Sequence, residues 1–144
     1  MPSVKLSMED MSLIASFEKI TGAPAVDVVK DDEAERLIFV VPRKHLGRAI
    51  GKGGSNVRHA AEVLGRHIDI VEIADTPEEF VKSALAPARV QNVQINEQKD
   101  GTKVASVTVK EEDRGIAIGK DGRNVARARI LVRRHFDVEN VVIA

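Results

Sequence analysis

The sequence predicts an α+β protein built as two small domains in tandem, residues 1–75 and 76–144. Three observations lead to this prediction. The chain has 144 residues, 43% of them hydrophobic, which suits one ordinary domain or two very small ones. An ungapped alignment of residues 36–73 with 104–141 gives 13 identities in 38 positions. In each half the apolar pattern predicts the same order of elements: helix, strand, strand, helix, helix, strand.

The first half is predicted to begin with a helix. Ser7 and Asp10 have the spacing of a capping box, apolar residues follow at helical spacing, and Gly22 ends the helix. Two strand-like segments follow, joined by a polar turn. The elements predicted after the first helix are, in order, strands 26–30 and 36–41, helices 43–50 and 55–64, and strand 68–73.

The second half repeats this order. Thr76 is a predicted N-cap, Pro77 occupies the first helical position, and Glu79 completes a capping box. Asp100-Gly101 indicates a hairpin between two alternating segments. Only residues 74–76 connect the halves, so we expect the two domains to sit in a fairly fixed relation. The predicted elements are a helix from 77 toward 86, strands 90–97 and 102–109, a short helix, a long helix and strand 138–143.

The net charge is zero, but basic residues concentrate in the two repeated segments. Residues 43–66 hold six Lys or Arg side chains against Glu62 alone, and residues 114–134 hold seven against Asp121 alone. Such a concentration is typical of a protein that binds a polyanion. The alternative is a solvated helix face.

Each half contains a glycine-rich turn with a lysine at its tip: AIGKGGSNV at residues 49–57 and AIGKDGRNV at residues 117–125. The first glycine is predicted to end a short helix in the left-handed conformation, and the last glycine opens the next helix. A phosphate could approach the helix N–H groups there, with the lysine as a mobile cation. Alternatively, the turns only connect two helices.

Several function classes are disfavoured. A nucleotide-binding P-loop needs a longer glycine spacing and Ser or Thr after the lysine, where this chain has Gly53 or Asp121. The four histidines lack metal-ligand spacing, there is no cysteine, and no nucleophile–base set is visible, so we expect no enzyme, metal or cofactor. We interpret His67 and His135 as equivalent helix-end cations. Without a signal peptide or apolar span, we expect a cytoplasmic protein with no membrane partner.

Taken together, the segments FEKITGA, RLIFVVP, GRAIGKGGSNV, TPEEFVKSALAPARV and GIAIGKDGRNV carry a family resemblance. Each half resembles a type II KH domain, a single-stranded RNA-binding fold whose GXXG loop clamps about four nucleotides. The tandem resembles the NusA family of transcription factors in its short archaeal form. The resemblance implies binding of single-stranded RNA and action in transcription elongation, termination or antitermination, with RNA polymerase as a candidate partner. The alternative is a KH protein of ribosome assembly or ribosomal RNA binding.

The resemblance also implies which residues contact RNA. The GXXG loops would clamp the RNA backbone, the following helix starts would meet it, nearby arginines would add charge, and aliphatic residues, Val57 and Val125 included, would edge a groove for bases. Those aliphatic residues also suit the core. The implied RNA-binding residues are Arg48, Ile50, Gly51, Lys52, Gly53, Gly54, Ser55, Asn56 and Arg58 in the first half, and Ile118, Gly119, Lys120, Asp121, Gly122, Arg123, Asn124 and Arg127 in the second.

Overall fold

The computed structural model describes residues 4–144, which form two compact units: the first unit at residues 5–73 and the second unit at residues 74–144. Each unit has the element order helix, strand, strand, helix, helix, strand, which confirms the predicted α+β class. The helices are α1 Met8–Thr21, α2 Leu46–Ile50, α3 Ser55–Leu64, α4 Pro77–Leu85, α5 Arg114–Ile118 and α6 Arg123–Phe136. The strands are β1 Asp27–Asp31, β2 Arg36–Val41, β3 His67–Glu72, β4 Val90–Glu97, β5 Lys103–Val109 and β6 Asn140–Ile143.

The predicted ends of α1 are confirmed. The Ser7 hydroxyl accepts from the Asp10 N–H and the Asp10 carboxylate accepts from the Ser7 N–H, both at 3.0 Å. These bonds satisfy two of the N–H groups that a helix start leaves unpaired. At the other end Gly22 has φ 78°, the left-handed conformation that glycine adopts without penalty.

Each unit contains a three-stranded sheet of the same topology. In the first unit β2 is central, antiparallel to β1 and parallel to β3; in the second unit β5 is central, antiparallel to β4 and parallel to β6. The first core includes Phe17 stacked on Phe39, with ring centroids 4.1 Å apart. In the second core Phe80 of α4 meets the ring of His135 edge-on at 5.2 Å. Among the described residues β3 pairs only with β2 and β6 only with β5, so each of these outer strands, like β1 and β4, has one edge without a neighbouring strand.

The parallel strand pairs differ in register between the units. Arg36 of β2 faces His67, whereas Val104, its counterpart in the repeat, faces Asn140 rather than His135. The cause is helix length: α3 has 10 residues and ends before Gly65 (φ 70°), whereas α6 has 14. The prediction that both histidines end helices is therefore correct for His135 and wrong for His67, which begins β3.

A buried ion cluster distinguishes the first unit. The Arg36 side chain is 1% exposed, and its guanidinium lies 2.8 Å from both the Asp31 and the Asp69 carboxylates. Asp69 also lies 2.9 Å from the His67 ring nitrogen Nε2. The two carboxylates supply the partners that a buried cation needs.

The start of the second unit follows the prediction in part. Thr76 caps α4 by accepting from the Glu79 N–H at 3.2 Å, and Pro77 occupies the first turn. The Glu79 carboxylate pairs with Lys82 at 3.4 Å instead of closing a reciprocal capping box. The predicted hairpin at Asp100-Gly101 is confirmed, with a loop closed by the Gln98 N–H donating to the Thr102 carbonyl at 2.7 Å.

An ion pair at Asp113 ties the segment before β4 to the start of α5. Arg89 donates to both carboxylate oxygens of Asp113, at 2.9 and 3.0 Å, and its backbone N–H donates at 2.7 Å. The Arg89 side-chain hydrogen bonds, followed by its backbone hydrogen bond, lower the pKa of Asp113 to about 2. In the unfolded chain an aspartate titrates near about 3.9.

This lowered pKa predicts how the stability of the second unit depends on pH. A group whose pKa falls on folding stabilises the folded state above its unfolded pKa, and this contribution disappears as pH falls toward the folded pKa. We therefore expect Asp113→Asn to lower the melting temperature at pH 7, and the gap to the unmodified protein to close between about pH 4 and pH 2. Thermal melts of both proteins across this range test it; a gap that is constant with pH would contradict it.

Candidate nucleic-acid interface

The two glycine-rich turns have the same backbone conformation. Gly51 has φ 77° and ψ 169°, and Gly119 has φ 79° and ψ 168°. The predicted left-handed helix end is therefore wrong for both glycines, which are extended at positive φ, a region that essentially only glycine occupies. Each N–H still closes the preceding short helix, donating to the carbonyl of Gly47 or Gly115 at 2.8 Å.

Close approach of the next helix gives a second reason for these glycines. A Cβ at Gly51 would lie 2.7 Å from the backbone nitrogen of Asn56, and one at Gly119 would lie 2.8 Å from Cγ of Asn124. Distances under about 3 Å between such atoms require the backbone to shift. The first glycine of each turn is thus fixed by both conformation and packing.

The two asparagines clamp the turns from inside. The side-chain Nδ2 of Asn56 donates to the Arg48 carbonyl at 2.7 Å, and Nδ2 of Asn124 donates to the Ile116 carbonyl at 2.7 Å. Sequence reasoning assigned these residues to RNA contact and missed this positioning role. A signal for this role was present in the sequence, because the two asparagines occupy identical places in the two repeats. Each lies in the first turn of a helix, where Asn commonly forms hydrogen bonds with backbone groups.

The tips of the turns are open to solvent. Lys52 and Lys120 are exposed, and within residues 4–144 neither forms an ion pair. Gly53 (φ 61°, ψ 21°) and Asp121 (φ 56°, ψ 26°) adopt the same left-handed conformation, which aspartate tolerates better than most side chains. The second turn therefore carries a carboxylate where the first has only hydrogen.

Glycine also caps the helices that follow. Gly54 and Gly122 are the N-caps of α3 and α6, both left-handed, with no side-chain cap. A Ser, Thr or Asp at this place would satisfy an N–H group of the first turn. The glycine caps leave that role to an external acceptor and leave the positive end of the helix dipole uncovered.

Arginines surround the first turn. Arg48 and Arg58 are exposed, and Arg58 donates from Nη1 to the Gly53 carbonyl at 2.5 Å, so its charge lies over the turn. Ser55, at the start of α3, is exposed as well. In the second unit Arg123 takes the place of Ser55 and is half-buried.

Arg127 does not lie on this surface. Its side chain is 9% exposed, and its guanidinium donates to the Ala84 carbonyl at 3.0 and 2.8 Å and to the Ala86 carbonyl at 3.5 Å. These are the carbonyls at the C-terminus of α4, which the helix leaves without internal donors. We therefore remove Arg127 from the interface: the basic cluster in the sequence could not separate it from its exposed neighbours.

This placement predicts that Arg127→Ala acts on stability. Removing the buried donor leaves the Ala84 carbonyl unsatisfied, so we expect the free energy of unfolding to fall by roughly 2 kcal/mol or more. Lys120→Ala, at an exposed tip, is the control and should leave the melting temperature unchanged. Chemical denaturation and RNA titrations of both variants test this. An unchanged stability for Arg127→Ala with weakened RNA binding would return Arg127 to the interface.

An apolar cavity lies beside the second turn. Its volume is about 220 Å³, and its lining combines the turn, α6 and β6: Ile118, Val125, Arg129 and residues 140–143. In the first unit Ile50 is 39% exposed, whereas Val57 packs against the core. Arg129 and Asn140 were missed by sequence reasoning because only folding brings β6 beside the turn.

The described part of the chain also bears on two other features, metal sites and membrane-spanning helices. Among residues 4–144, no group of three or more His, Cys, Asp or Glu side chains is placed to hold a metal ion. No helix in this range is long and apolar enough to cross a membrane.

Comparison with known proteins matches both halves to one family. Residues 19–76 and 77–143 each match the family model described as the NusA-like second KH domain. A probable transcription termination protein NusA from Halobacterium salinarum is 45% identical over 96% of this chain and 97% of its own length. One from Methanocaldococcus jannaschii is 33% identical over 99% of this chain and 76% of its own length.

A solved structure agrees. The crystal structure of APE1850 superposes with a TM-score of 0.87 at 38% identity, covering 96% of this chain and all of that one. The match of both halves to a KH model confirms the resemblance drawn from the glycine turns and from the segment that contains α4. This chain is a member of the NusA-like family of tandem KH domain proteins.

Proposed function

We propose that this protein binds single-stranded RNA through both glycine-rich turns and acts in transcription elongation, termination or antitermination. The observation that carries the proposal is the repetition of one turn geometry in two units: a glycine at φ near 77° or 79°, an unpaired lysine, and a glycine N-cap. A turn that only connected helices would have no need of an exposed lysine and an open helix start in both copies.

The turn suits a phosphodiester backbone. The Ser55 and Arg123 N–H groups already donate to the Lys52 and Lys120 carbonyls. The next N–H groups of each first turn have no side-chain cap and can donate to phosphate oxygens, and the helix dipole favours the negative charge. Lys52 and Lys120 supply a cation at each tip, and Arg48 and Arg58 enlarge the positive surface around the first. These contacts fix the strand without reading its sequence. The proposed interface is the implied residue set without Arg127.

The proposal includes a role in transcription and gives the protein no catalytic step. The relatives that match nearly the whole chain are named probable transcription termination proteins. We propose RNA polymerase as the protein partner and the cytoplasm as the location, with binding rather than bond cleavage as the activity. Co-purification with RNA polymerase rather than with pre-ribosomal particles would support this over a role in ribosome assembly.

The direct test compares single-stranded RNA with a duplex. We expect the protein to bind an unstructured RNA of about ten nucleotides more tightly than a blunt RNA duplex of the same length, because each KH unit holds about four unpaired nucleotides. Fluorescence anisotropy at fixed salt measures both affinities. Equal affinity for the two would contradict the proposal.

A further inference from the structure

The unpaired edges of β3 and β6 differ in a way that bears on base recognition. An open strand edge presents N–H and C=O groups in alternation, which can pair with the edge of an unstacked base. In the second unit the Ala144 N–H donates to Val107 of β5, so the backbone groups of Val141 and Ile143 turn away from β5. These two residues line the cavity beside the second turn.

In the second unit three of these four outward groups, the N–H and C=O of Val141 and the C=O of Ile143, already have side-chain partners. Asn140 accepts from the Val141 N–H through Oδ1 at 2.9 Å, and Arg129 donates to the Val141 carbonyl at 3.2 Å. Arg129 also donates to Asn140 Oδ1 at 2.5 Å, which fixes the pair. Arg114 donates to the Ile143 carbonyl at 3.4 Å. The strand edge beside the cavity is thus closed by side chains of its own unit.

The first unit lacks the two arginines, and in the strand register His67, whose ring nitrogen lies 2.9 Å from the Asp69 carboxylate, stands where the second unit has Asn140. The repeat places Ala61 where the second unit has Arg129, and Leu46 where it has Arg114. The Ile73 N–H donates to Val41 of β2, so the backbone groups of Ile68 and Ile70 turn away from β2. Within residues 4–144 no side chain donates to these two carbonyls. We call the edge of β3 open in this sense: its two outward carbonyls have no hydrogen-bond partner within residues 4–144.

We propose that the two units divide the recognition of RNA: the first unit discriminates between bases through the open edge of β3, and the second holds the phosphate backbone without reading bases, because Arg129, Arg114 and Asn140 close the edge of β6. This inference rests on the proposed RNA binding. It assigns Arg129 as the residue that keeps the second unit indifferent to sequence, and it makes two similar domains unequal in function.

The experiment measures the affinities for ten-nucleotide oligo(A), oligo(C) and oligo(U) at one salt concentration. The quantity compared between variants is the spread, which is the ratio of the highest of the three affinities to the lowest. Lys120→Asp, which reverses the charge at the tip of the second turn and leaves the first turn unaltered, should keep the spread of the unmodified protein. Lys52→Asp with Gly53→Asp, which disables the first turn, should reduce it to less than about twofold, since the second unit then binds through phosphates, which carry no base information. Adding Arg129→Ala to this second variant should widen the spread again, to about fivefold or more, because a well-made base contact is worth about tenfold.

The outcomes separate this inference from the function it rests on. A first-turn variant that retains the full spread, or an unmodified protein that binds the three RNAs equally, would overturn the division of roles and leave RNA binding intact. No binding of any of the three by the unmodified protein would overturn both. The role of Arg129 would be overturned if adding Arg129→Ala to the first-turn variant leaves the spread narrow while circular dichroism shows that the protein is folded. Because the first-turn variant leaves the second unit unaltered, the main comparison holds even where Arg129→Ala fails to fold.

Discussion

Replacing Lys52 and Gly53 with aspartate is expected to weaken binding of single-stranded RNA by roughly 10- to 100-fold. The change removes the exposed cation that the proposed function places against phosphate, and it adds two carboxylates. A hydrogen bond to a charged group is worth about 1.5–3 kcal/mol, and about 1.4 kcal/mol corresponds to a factor of ten. For every phosphate of a single strand that the protein no longer neutralises, the slope of log K against log salt should also flatten by about 0.7. Salt titrations by fluorescence anisotropy measure both effects.

The chain provides its own control for this variant. Gly53→Asp alone converts the first turn to GKDG, the sequence that the second turn already has, and Asp121 adopts nearly the backbone conformation of Gly53. A Cβ at Gly53 would meet no atom within 4 Å. We therefore expect this single change to preserve the fold and to cost much less affinity than the double change. Lys120→Asp should also cost less, because Asp121 already offsets that turn's charge. Unchanged affinity in the double variant would mean that the turns only connect helices.

Gly51→Ala is expected to destabilise the first unit by about 3 kcal/mol, a large fraction of the roughly 5–15 kcal/mol that stabilises a folded protein. Its backbone region costs a non-glycine residue about 1–3 kcal/mol, and the added Cβ would lie 2.7 Å from the Asn56 nitrogen. Gly53→Ala, two residues away, is the matched control. It meets only the left-handed penalty, about 1–2 kcal/mol, and no close atom.

Urea denaturation of the two alanine variants measures this difference, and circular dichroism reports whether the helices persist. We also expect Gly51→Ala to weaken RNA binding at temperatures where it stays folded, because the shifted backbone displaces Lys52. Equal losses of stability in the two variants would mean that the contact with Asn56 does not constrain the turn.

The sequence predicted best those features that depend on neighbouring residues. The capping box of Ser7 and the helix end at Gly22 are local signals, and the bounds of β2 and α3 follow from apolar spacing between strong breaks. The order of elements followed from the repeat. The two GKxG turns were located correctly for the same reason.

Features that depend on distant parts of the chain were missed. Because Arg66-His67 aligns without gaps with Arg134-His135, the two pairs were expected at equivalent places. However, Gly65 ends α3, whereas α6 continues past the corresponding position, so the strands that follow have different registers. Arg127 looked like its exposed neighbours because its partners, the carbonyls of Ala84 and Ala86, lie more than 40 residues away. The closure of the β6 edge depends on the same long-range packing.

The buried ion cluster of the first unit bears on how two similar domains avoid exchanging equivalent strands while they fold. Repeated domains in one chain are prone to exchange equivalent strands while they fold. If β2 took the place of β5, Arg36 would replace Val104 opposite Asn140 of β6, and on β4 it would face Asn96, an uncharged side chain in the place that Asp31 holds in the first unit. A buried charge left without its partners costs about 3–5 kcal/mol. The Arg36 cluster therefore penalises the exchanged pairing and directs each strand to its own sheet.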